Sequence, residues 1–261
     1  MSLSHEDKSG KRWLKAELHS HCNLDPTDYS ICDFTPEQLI SKAAELGYEV
    51  LAITCHDRDI WSLNLSDYAR SLGIILIPGM EVAIEKKRQV LVYNFQTGAE
   101  NLNTLDKIRA RSGEDTLVIA PHPYFPGSSC LRNLLEKNLG MFDAIEYSGF
   151  QVPGLNFNRR TLELSTRTQK PVVGNADVHF LWQLGRTFTW IYSEPDMASI
   201  FDAIRQGLVR VEPSSISWLQ AANFWANTIW RSAFPVNSPP VKLPLDKIKD
   251  GRCLGAAQEG M

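Results

Sequence analysis

The segment Leu18-His19-Ser20-His21 places two histidines two positions apart, directly after a stretch that predicts a buried β-strand. In an extended segment, residues i and i+2 point to the same face of the chain, so both imidazoles can bind one cation. Neutral imidazole is a common ligand of divalent transition metals. The segment therefore indicates a metal site at the end of a strand, although a histidine pair of this kind is a weak signal by itself.

Other motifs place a histidine or a carboxylate in the same position, just past an apolar run. Any one of these histidines, taken alone, is as well explained as an ordinary core or surface residue. Burying so many ionisable groups at strand ends without a cation would be costly, so together they predict a polynuclear metal site and a metallohydrolase. The motifs are Ala52-Ile53-Thr54-Cys55-His56-Asp57, Gly79-Met80-Glu81, Ala120-Pro121-His122-Pro123 and Gly174-Asn175-Ala176-Asp177-Val178-His179.

Strand-like runs alternate with helical patterns along most of the chain, which predicts repeated βα units and a parallel sheet. The first helix has Thr35 as N-cap, Pro36 at its first position and Gln38 completing a capping box, and it ends before Gly47. Metal-type residues follow strand after strand, and only a closed barrel brings so many strand ends around one mouth. The predicted fold class is therefore an α/β barrel.

The remaining elements are predicted from hydrophobic periodicity and turn residues. Helices are expected over 64–72, 102–111, 131–139, 155–167 and 197–206. Strands are expected over 50–54, 74–77, 117–120, 144–146, 171–174 and 187–192, with a hairpin formed by 82–84 and 90–95.

Composition limits the possible classes of protein. The 261 residues are 43% hydrophobic, which is enough for one sizeable core, and the net charge of −3 gives no simple argument for a nucleic-acid-binding surface. No apolar stretch approaches the roughly 20 residues of a membrane span, and the start lacks the apolar stretch of a signal peptide, so we expect a cytoplasmic protein. Five scattered cysteines without a CxxC pair predict free thiols.

The chain changes character after the predicted barrel. We expect a flexible N-terminus over 1–12, a barrel over 13–212, and a C-terminal aromatic helix with a Pro-rich tail over 213–261 whose last dozen residues are unstructured. The helix should pack its aromatic stripe on the barrel, with a dimer contact or a membrane-surface helix as alternatives. The stripe consists of Trp218, Leu219, Ala222, Trp225, Ile229 and Trp230.

Taken in order, the five motifs resemble those of the PHP family, the polymerase and histidinol phosphatase superfamily. The resemblance covers about residues 14–211. It implies a distorted seven-stranded (βα) barrel that binds two or three divalent transition-metal ions, manganese, zinc or iron, and hydrolyses phosphoesters. The C-terminal helix would be an extension of this barrel.

The resemblance also implies which residues hold the metal ions. The family has an aspartate shortly after the histidine pair; here the segment is longer, so Asp28 is our first choice and Asp25 the alternative. Where the family has an aspartate before the next histidine, this chain has Cys55. It could be a soft neighbour of the metal ions, but we expect it to be a small core residue. One ion would be held by His19, His21, Glu81 and Asp177, with Glu81 bridging to a neighbour. The second and third positions would be completed by His56, His122 and His179.

The expected reaction is attack on phosphorus by a metal-bound hydroxide. The expected partner is a small phosphorylated metabolite or nucleotide. A nuclease on short oligonucleotides is the next hypothesis, but it would need an aromatic and basic track that is not evident in the sequence. A non-catalytic metal-binding module is the third. Besides Glu81 and Asp177, we expect Arg186 to act in catalysis as a phosphate contact. It is our first choice among Arg58, Arg159, Arg160 and Arg186.

Overall fold

The computed structural model describes residues 10–85, 87–235 and 237. Strands and helices alternate along most of this part of the chain. The strands are β1 Arg12–Glu17, β2 Val50–Ile53, β3 Ile75–Ile84, β4 Arg88–Tyr93, β5 Leu117–Ala120, β6 Ala144–Ser148, β7 Val172–Asn175, β8 Phe188–Ser193 and β9 Val209–Glu212. The helices are α1 Pro36–Glu45, α2 Leu63–Ser71, α3 Leu105–Arg109, α4 Asn133–Lys137, α5 Arg159–Thr168, α6 Met197–Arg205 and α7 Trp218–Ala233.

Helix α1 begins as its sequence predicts. The Oγ1 atom of Thr35 accepts the backbone N–H of Gln38 at 3.3 Å, and Oε1 of Gln38 accepts the backbone N–H of Thr35 at 2.8 Å. This reciprocal capping box satisfies two backbone donors that a helix otherwise leaves open. Leu39 and Ile40 on its inner face are fully buried. The start of the helix is thus fixed by local sequence and its orientation by packing.

The strands form a single mixed sheet in the order β7-β6-β5-β4-β3-β2-β1-β8-β9. Pairing is parallel in β1-β2-β3 and in β5-β6-β7, and antiparallel where β4, β8 and β9 join. The expectation of seven strands was therefore wrong, because the described residues form nine. Strand β9 escaped prediction because it alternates half-buried valines with exposed Arg210 and Glu212 and so lacks an apolar run.

Strand β3 is continuous where the sequence predicts two strands. Its first half pairs in parallel with β2 up to Pro78, and its second half pairs with β4 in antiparallel register from Gly79 onward. Pro78 lacks an N–H to donate to a ladder. It sits at the point where the strand changes partner, and its carbonyl accepts the backbone N–H of Asn94 at 2.9 Å. Pro78 therefore marks the point where β3 exchanges β2 for β4 as its pairing strand, and it does not end the strand.

The sheet curls into a nearly closed barrel, as predicted in its coarse form. The two ends of the sheet approach each other without a ladder. Oγ1 of Thr189 in β8, the strand next to β9, accepts the backbone N–H of Gly174 in β7 and donates to its carbonyl, both at 2.8 Å. A Cβ atom at Gly174 would lie 2.5 Å from Cγ1 of Val211 in β9, so only glycine fits here. Beyond β1 and β7, Ser20 and Val178 form a parallel bridge.

Apolar side chains fill the barrel and cover its outside. Helices α1 and α2 pack on one side of the outer surface, and α3, α4 and α5 contribute to a second outer cluster. The interior cluster receives a residue from each of β1 to β8 and is completed by α6. Its members include Leu14, Val50, Ile77, Leu91, Leu117, Ala144, Val173, Ile191 and Phe201. This packing holds the strand ends in place.

Helix α7 forms, but the expectation that its aromatic stripe packs on the barrel was wrong. Ala221 is buried, and Phe224 lies against Phe150 and Phe180. The helix is apolar on more than one side, so apolarity alone did not identify the contacting face. The exposed residues are Trp218, Leu219, Trp225, Ile229 and Trp230. Among the described residues, no helix combines the length and apolarity needed to cross a membrane.

Three sequence-based expectations concern residues outside the part of the chain that the structure describes. Residues 1–9 of the expected N-terminal segment lie outside the described residues. So does the Pro-rich tail over 235–244, apart from residues 235 and 237, and so do the last dozen residues with Cys253.

Tyr93→Phe tests how far the interior depends on a single buried hydrogen bond. The fully buried Tyr93 hydroxyl donates to the carbonyl of Leu18 at 2.7 Å, directly before His19. Its removal leaves that carbonyl unpaired, and we expect the free energy of unfolding in urea to fall by about 1–3 kcal/mol. Tyr68→Phe, whose hydroxyl meets Ser41 at the surface, is the matched control and should change it by less than about 0.5 kcal/mol. Equal effects would contradict this reasoning.

Candidate metal centre

The motif residues converge at one mouth of the barrel. His19 and His21 follow β1, His56 follows β2, and His122 follows β5. Parallel strands place these carboxyl ends at the same edge of the sheet. Glu81 differs from the expectation, because it lies inside the long strand β3 and not after it. An isolated parallel β-bridge joins its backbone to that of His56. Asp177 and His179 follow β7.

Glu81 lies at the centre of the cluster and is almost completely buried. Its Oε2 atom is 3.1 Å from Nε2 of His56 and 3.4 Å from Nε2 of His19, and its Oε1 atom is 3.2 Å from Nε2 of His122. Nε2 of His21 lies 3.6 Å from Oε2. The two oxygens of this one carboxylate thus face four imidazoles. A ligand that bridges two cations requires such an arrangement.

Three buried polar atoms of the cluster have no hydrogen-bond partner: Nε2 of His19, Nε2 of His21 and Oδ1 of Asp177. The Asp177 oxygen lies 3.3 Å from the first nitrogen and 3.2 Å from the second. Buried polar atoms are normally satisfied, and those that are not need an explanation. A cation between them would satisfy all three, so the residues present fit a metal ion.

Asp25 and Asp28 have different surroundings. The carboxylate of Asp25 is fully buried and accepts Nδ1 of His21 at 2.8 Å, Nδ1 of His56 at 3.0 Å, and the backbone N–H groups of Thr27 and Asp28. Both of its oxygens are thereby occupied by protein donors. Oδ2 of Asp28 instead faces Nε2 of His179 at 3.0 Å. Asp28 is thus the freer of the two to bind a cation.

The charges of the cluster favour bound cations. Burial would lower the pKa of His19, but the negative charges of Asp177 and Glu146 raise it well above its usual value. Burial would raise the pKa of Glu81, yet the charges of His19 and His56 hold it well below its usual range. Without a cation, the buried carboxylates therefore favour histidines that carry a second ring proton. Metal ions would replace those protons.

The backbone is strained at three of these positions. Asp57, His122 and Asp177 have φ values of 50°, 27° and 52°, in the left-handed region that non-glycine residues rarely adopt. Such conformations persist only where the surrounding structure enforces them, and they concentrate at functional sites. The strain coincides with the motifs found in the sequence.

Glu146 is a functional residue that the sequence reasoning missed. It is fully buried in the middle of β6. Its Oε1 atom accepts Nδ1 of His19 and Nδ2 of Asn175, each at 2.9 Å, and its Oε2 atom accepts the backbone N–H of His122 at 2.5 Å. It therefore orients one histidine ring and positions a second. The signal was present, since Glu146 is an acid within an otherwise apolar strand.

Other sequence-based expectations have mixed outcomes. Cys55 lies in the core as expected, with its Sγ atom 3.5 Å from that of Cys22. Asp57, the residue after His56, accepts the backbone N–H of Ala83 at 2.7 Å. None of the ion pairs in the described part of the chain involves Arg186, so its role as a phosphate contact stays a prediction.

The structure brings together an aromatic cluster that was not evident in the sequence. Rings of Phe157, Phe125, Phe150 and Phe224 follow one another with centroid separations of 5.0 to 5.6 Å. Phe224 lies 6.4 Å from the ring of His179. The members come from three separate parts of the chain, which is why no local pattern indicated them.

Comparisons with known proteins agree with the motif order. Residues 17–137 match the family model of the PHP domain, and residues 156–209 match that of the PHP-associated region. An uncharacterized protein of Methanocaldococcus jannaschii is 28% identical over 127 residues, which cover 43% of this chain and 70% of that protein.

Solved structures share the fold. A two-domain protein of Bacteroides vulgatus, containing a predicted PHP-like metal-dependent phosphoesterase, superposes with a TM-score of 0.63 at 16% identity, covering 82% of this chain and 68% of the other. PsfC of Pseudomonas syringae superposes with a TM-score of 0.51 at 18% identity, covering 85% and 99%. At these identities the likeness concerns the fold alone.

Glu146→Gln should weaken metal binding without unfolding the protein. The amide presents an N–H₂ group to one of the donors that the carboxylate now accepts, so the ring of His19 or the backbone of His122 loses its support. We expect metal affinity to fall about 10–100-fold, measured by competition with a chromogenic chelator. The surface variant Glu45→Gln, which affects only a pair with Lys42, should bind metal as the wild type does. A wild-type affinity in Glu146→Gln would contradict an orienting role.

Proposed function

Because the chain belongs to the PHP domain family, we propose that it is a metal-dependent phosphoesterase acting on a small phosphorylated metabolite or nucleotide. The observation that carries the proposal is the set of buried, partnerless atoms of His19, His21 and Asp177 beside the central carboxylate of Glu81. A protein that did not bind cations here would retain several unsatisfied buried groups at a considerable energetic cost.

We assign three cation positions to the cluster. His19, His21, Asp177 and Glu81 surround the first. Glu81 contributes to the second together with His122 and His56, whose Nε2 atoms lie 3.2 Å and 3.1 Å from its oxygens. Asp28 is the proposed ligand of the third, together with His179, whose Nε2 atom lies 3.0 Å from Oδ2 of Asp28. Glu81 would join neighbouring positions, since its two oxygens face different histidines.

Divalent cations bound in this cluster supply the Lewis acidity that lowers the pKa of a water molecule and so provides hydroxide for in-line attack on phosphorus. The protein supplies their geometry. Asp25 holds Nδ1 of His21 and of His56, and both Nε2 atoms then point toward Glu81. Glu146 does the same for His19. Arg186 remains our proposed contact for the non-reacting oxygens of the phosphate.

Elemental analysis of the purified protein tests the proposal directly. We expect at least two transition-metal ions per chain, and we expect a strong chelator to lower the melting temperature because ions bound only to the folded state stabilise it. Chelator saturated with zinc beforehand is the control. A panel of phosphoesters, assayed with and without added manganese, should then show metal-dependent hydrolysis. A metal-free protein of unchanged stability would exclude the proposal.

Glu81→Gln keeps the shape of the central side chain and removes its charge. We expect turnover of any phosphoester substrate to fall by far more than about tenfold, while circular dichroism shows a retained fold. The exposed variant Glu37→Gln on α1 is the control and should keep full activity. A loss of activity within about tenfold, which corresponds to a barrier change of only ~1.4 kcal/mol, would mean that Glu81 does not hold the reacting cations.

The aromatic cluster near His179 supports a nuclease acting on short oligonucleotides as a second candidate. Base stacking on aromatic side chains is the usual means of holding single-stranded nucleic acid. Phe157, Phe125, Phe150 and Phe224 could provide such a surface beside the mouth. The net charge of −3 favours the small-molecule esterase over this candidate.

Salt dependence separates the two candidates. A substrate held by several phosphate contacts loses affinity steeply as salt rises, whereas a single phosphate held by cations depends on salt only weakly. We expect a small change in KM between about 50 and about 200 mM salt. Strong inhibition over this range, together with processive cleavage of single-stranded RNA or DNA, would favour the nuclease.

A further inference from the structure

A depression of about 510 Å³ lies beside the mouth, between the loop that follows β5 and the start of α5. It is separate from the histidine cluster, and no role has yet been assigned to it. We call it the arginine pocket. Its lining includes Tyr124, Arg132, Phe157, Arg159, Arg160 and Glu163.

The arginine pocket has an excess of positive charge, with three guanidinium groups and one carboxylate in its lining. The ion pair of Arg159 with Glu163 is exposed and therefore weak in water, whereas Arg160 is paired with the half-buried Glu136, which lies outside the lining. Arg132 donates through Nη2 to the carbonyl of Gly127, an acceptor without formal charge. An anionic ligand could therefore bind here without breaking a strong contact.

The start of α5 also favours an anion. Arg159 and Arg160 stand in its first turn, which contains no acidic residue, although the positive end of a helix dipole favours acids there. The side chain of the N-cap residue Asn158 cannot cap the helix, because it pairs with the backbone of Ser148 instead. Basic residues at an uncapped helix start reduce stability, and such local conflicts are expected at functional positions. A bound anion would relieve this one.

Arg132 connects the arginine pocket to the candidate metal centre. Its φ of 49° is strained for a non-glycine residue. Its backbone N–H donates to the carbonyl of Pro123 at 2.9 Å, and Pro123 follows His122, whose Nε2 atom contacts Glu81. Phe157 and Phe125, in ring contact at 5.0 Å, link the other wall to the same loop. The arginine pocket and the candidate metal centre thus share the loop that follows β5.

We propose that the arginine pocket binds a second anionic group of the substrate, a phosphate or a carboxylate, which is not the group hydrolysed. This inference rests on the proposed function and narrows its substrate class. The substrate would carry a phosphoester at the metal centre and another acid group at its far end. Guanidinium groups suit both acids because their planar N–H donors match two oxygens at once.

The test compares alkyl phosphates that end in a methyl, a carboxylate or a phosphate group, each with several linker lengths. The variant is Arg132→Gln combined with Arg159→Gln; Arg160 is left intact because it also supports Tyr124 and Glu136. Arg167→Gln is the matched control, since Arg167 belongs to the same helix but does not line the pocket. Metal content and melting temperature are measured for every protein.

We expect the wild type to prefer an ester with an anionic end, by kcat/KM. The double variant should reduce this preference by about tenfold or more, mainly through KM, and the control should keep it. The carboxylate and phosphate series identify which acid the pocket accepts. A wild type without such a preference, or a double variant that loses activity equally on all three series, would overturn the inference.

Direct binding distinguishes failure of the inference from failure of the proposed function. If the wild type hydrolyses none of the esters, the proposed function fails, and the arginine pocket is judged by calorimetric titration with inorganic phosphate. Saturable binding that is present in the wild type and in Arg167→Gln, but weakened about tenfold or more in the double variant, supports the anion site. Absence of binding, or equal binding by all three proteins, overturns it.

Discussion

The structure depends on the compensation of one buried negative charge, that of the carboxylate of Glu81. A charge in the interior is tolerated only beside opposite charge or a metal ion. Four imidazoles surround Glu81, and they arrive from the ends of β1, β2 and β5. The nearly closed sheet is what allows strands so far apart in the sequence to share one buried group.

Two further buried acids, Asp25 and Glu146, orient the histidines that surround Glu81. Both carboxylates are fully buried and so are not solvated by water. They accept hydrogen bonds from the Nδ1 atoms of His21, His56 and His19, and the Nε2 atoms of these rings therefore point toward Glu81. Because a buried carboxylate holds the Nδ1 atom of each of these rings, the rings cannot rotate freely. Specificity for a cation therefore comes from hydrogen bonds to protein groups as much as from the residues that face it.

Sequence alone was sufficient for features with a local cause. The capping box at Thr35 depends on residues three apart, and strand-end histidines such as His56 follow recognisable runs. Features produced by the closed sheet were missed. Strand β9 exists because β8 offers it an edge, and Glu146 gains its role from His19 and His122 on other strands. The metal-ligand roles themselves follow from motif order and geometry together and await measurement.

The bridge between Ser20 and Val178 has a consequence for how the protein folds. The backbone N–H of Leu18 reaches the side chain of Asn175, a partner 157 residues away in the sequence. Contacts of such long range form late, because the loop between them must first be closed. His19 and His21 can therefore contact Asp177 only when the barrel is assembled. A nascent or truncated chain could not assemble the proposed metal centre, so metal uptake would report completion of folding.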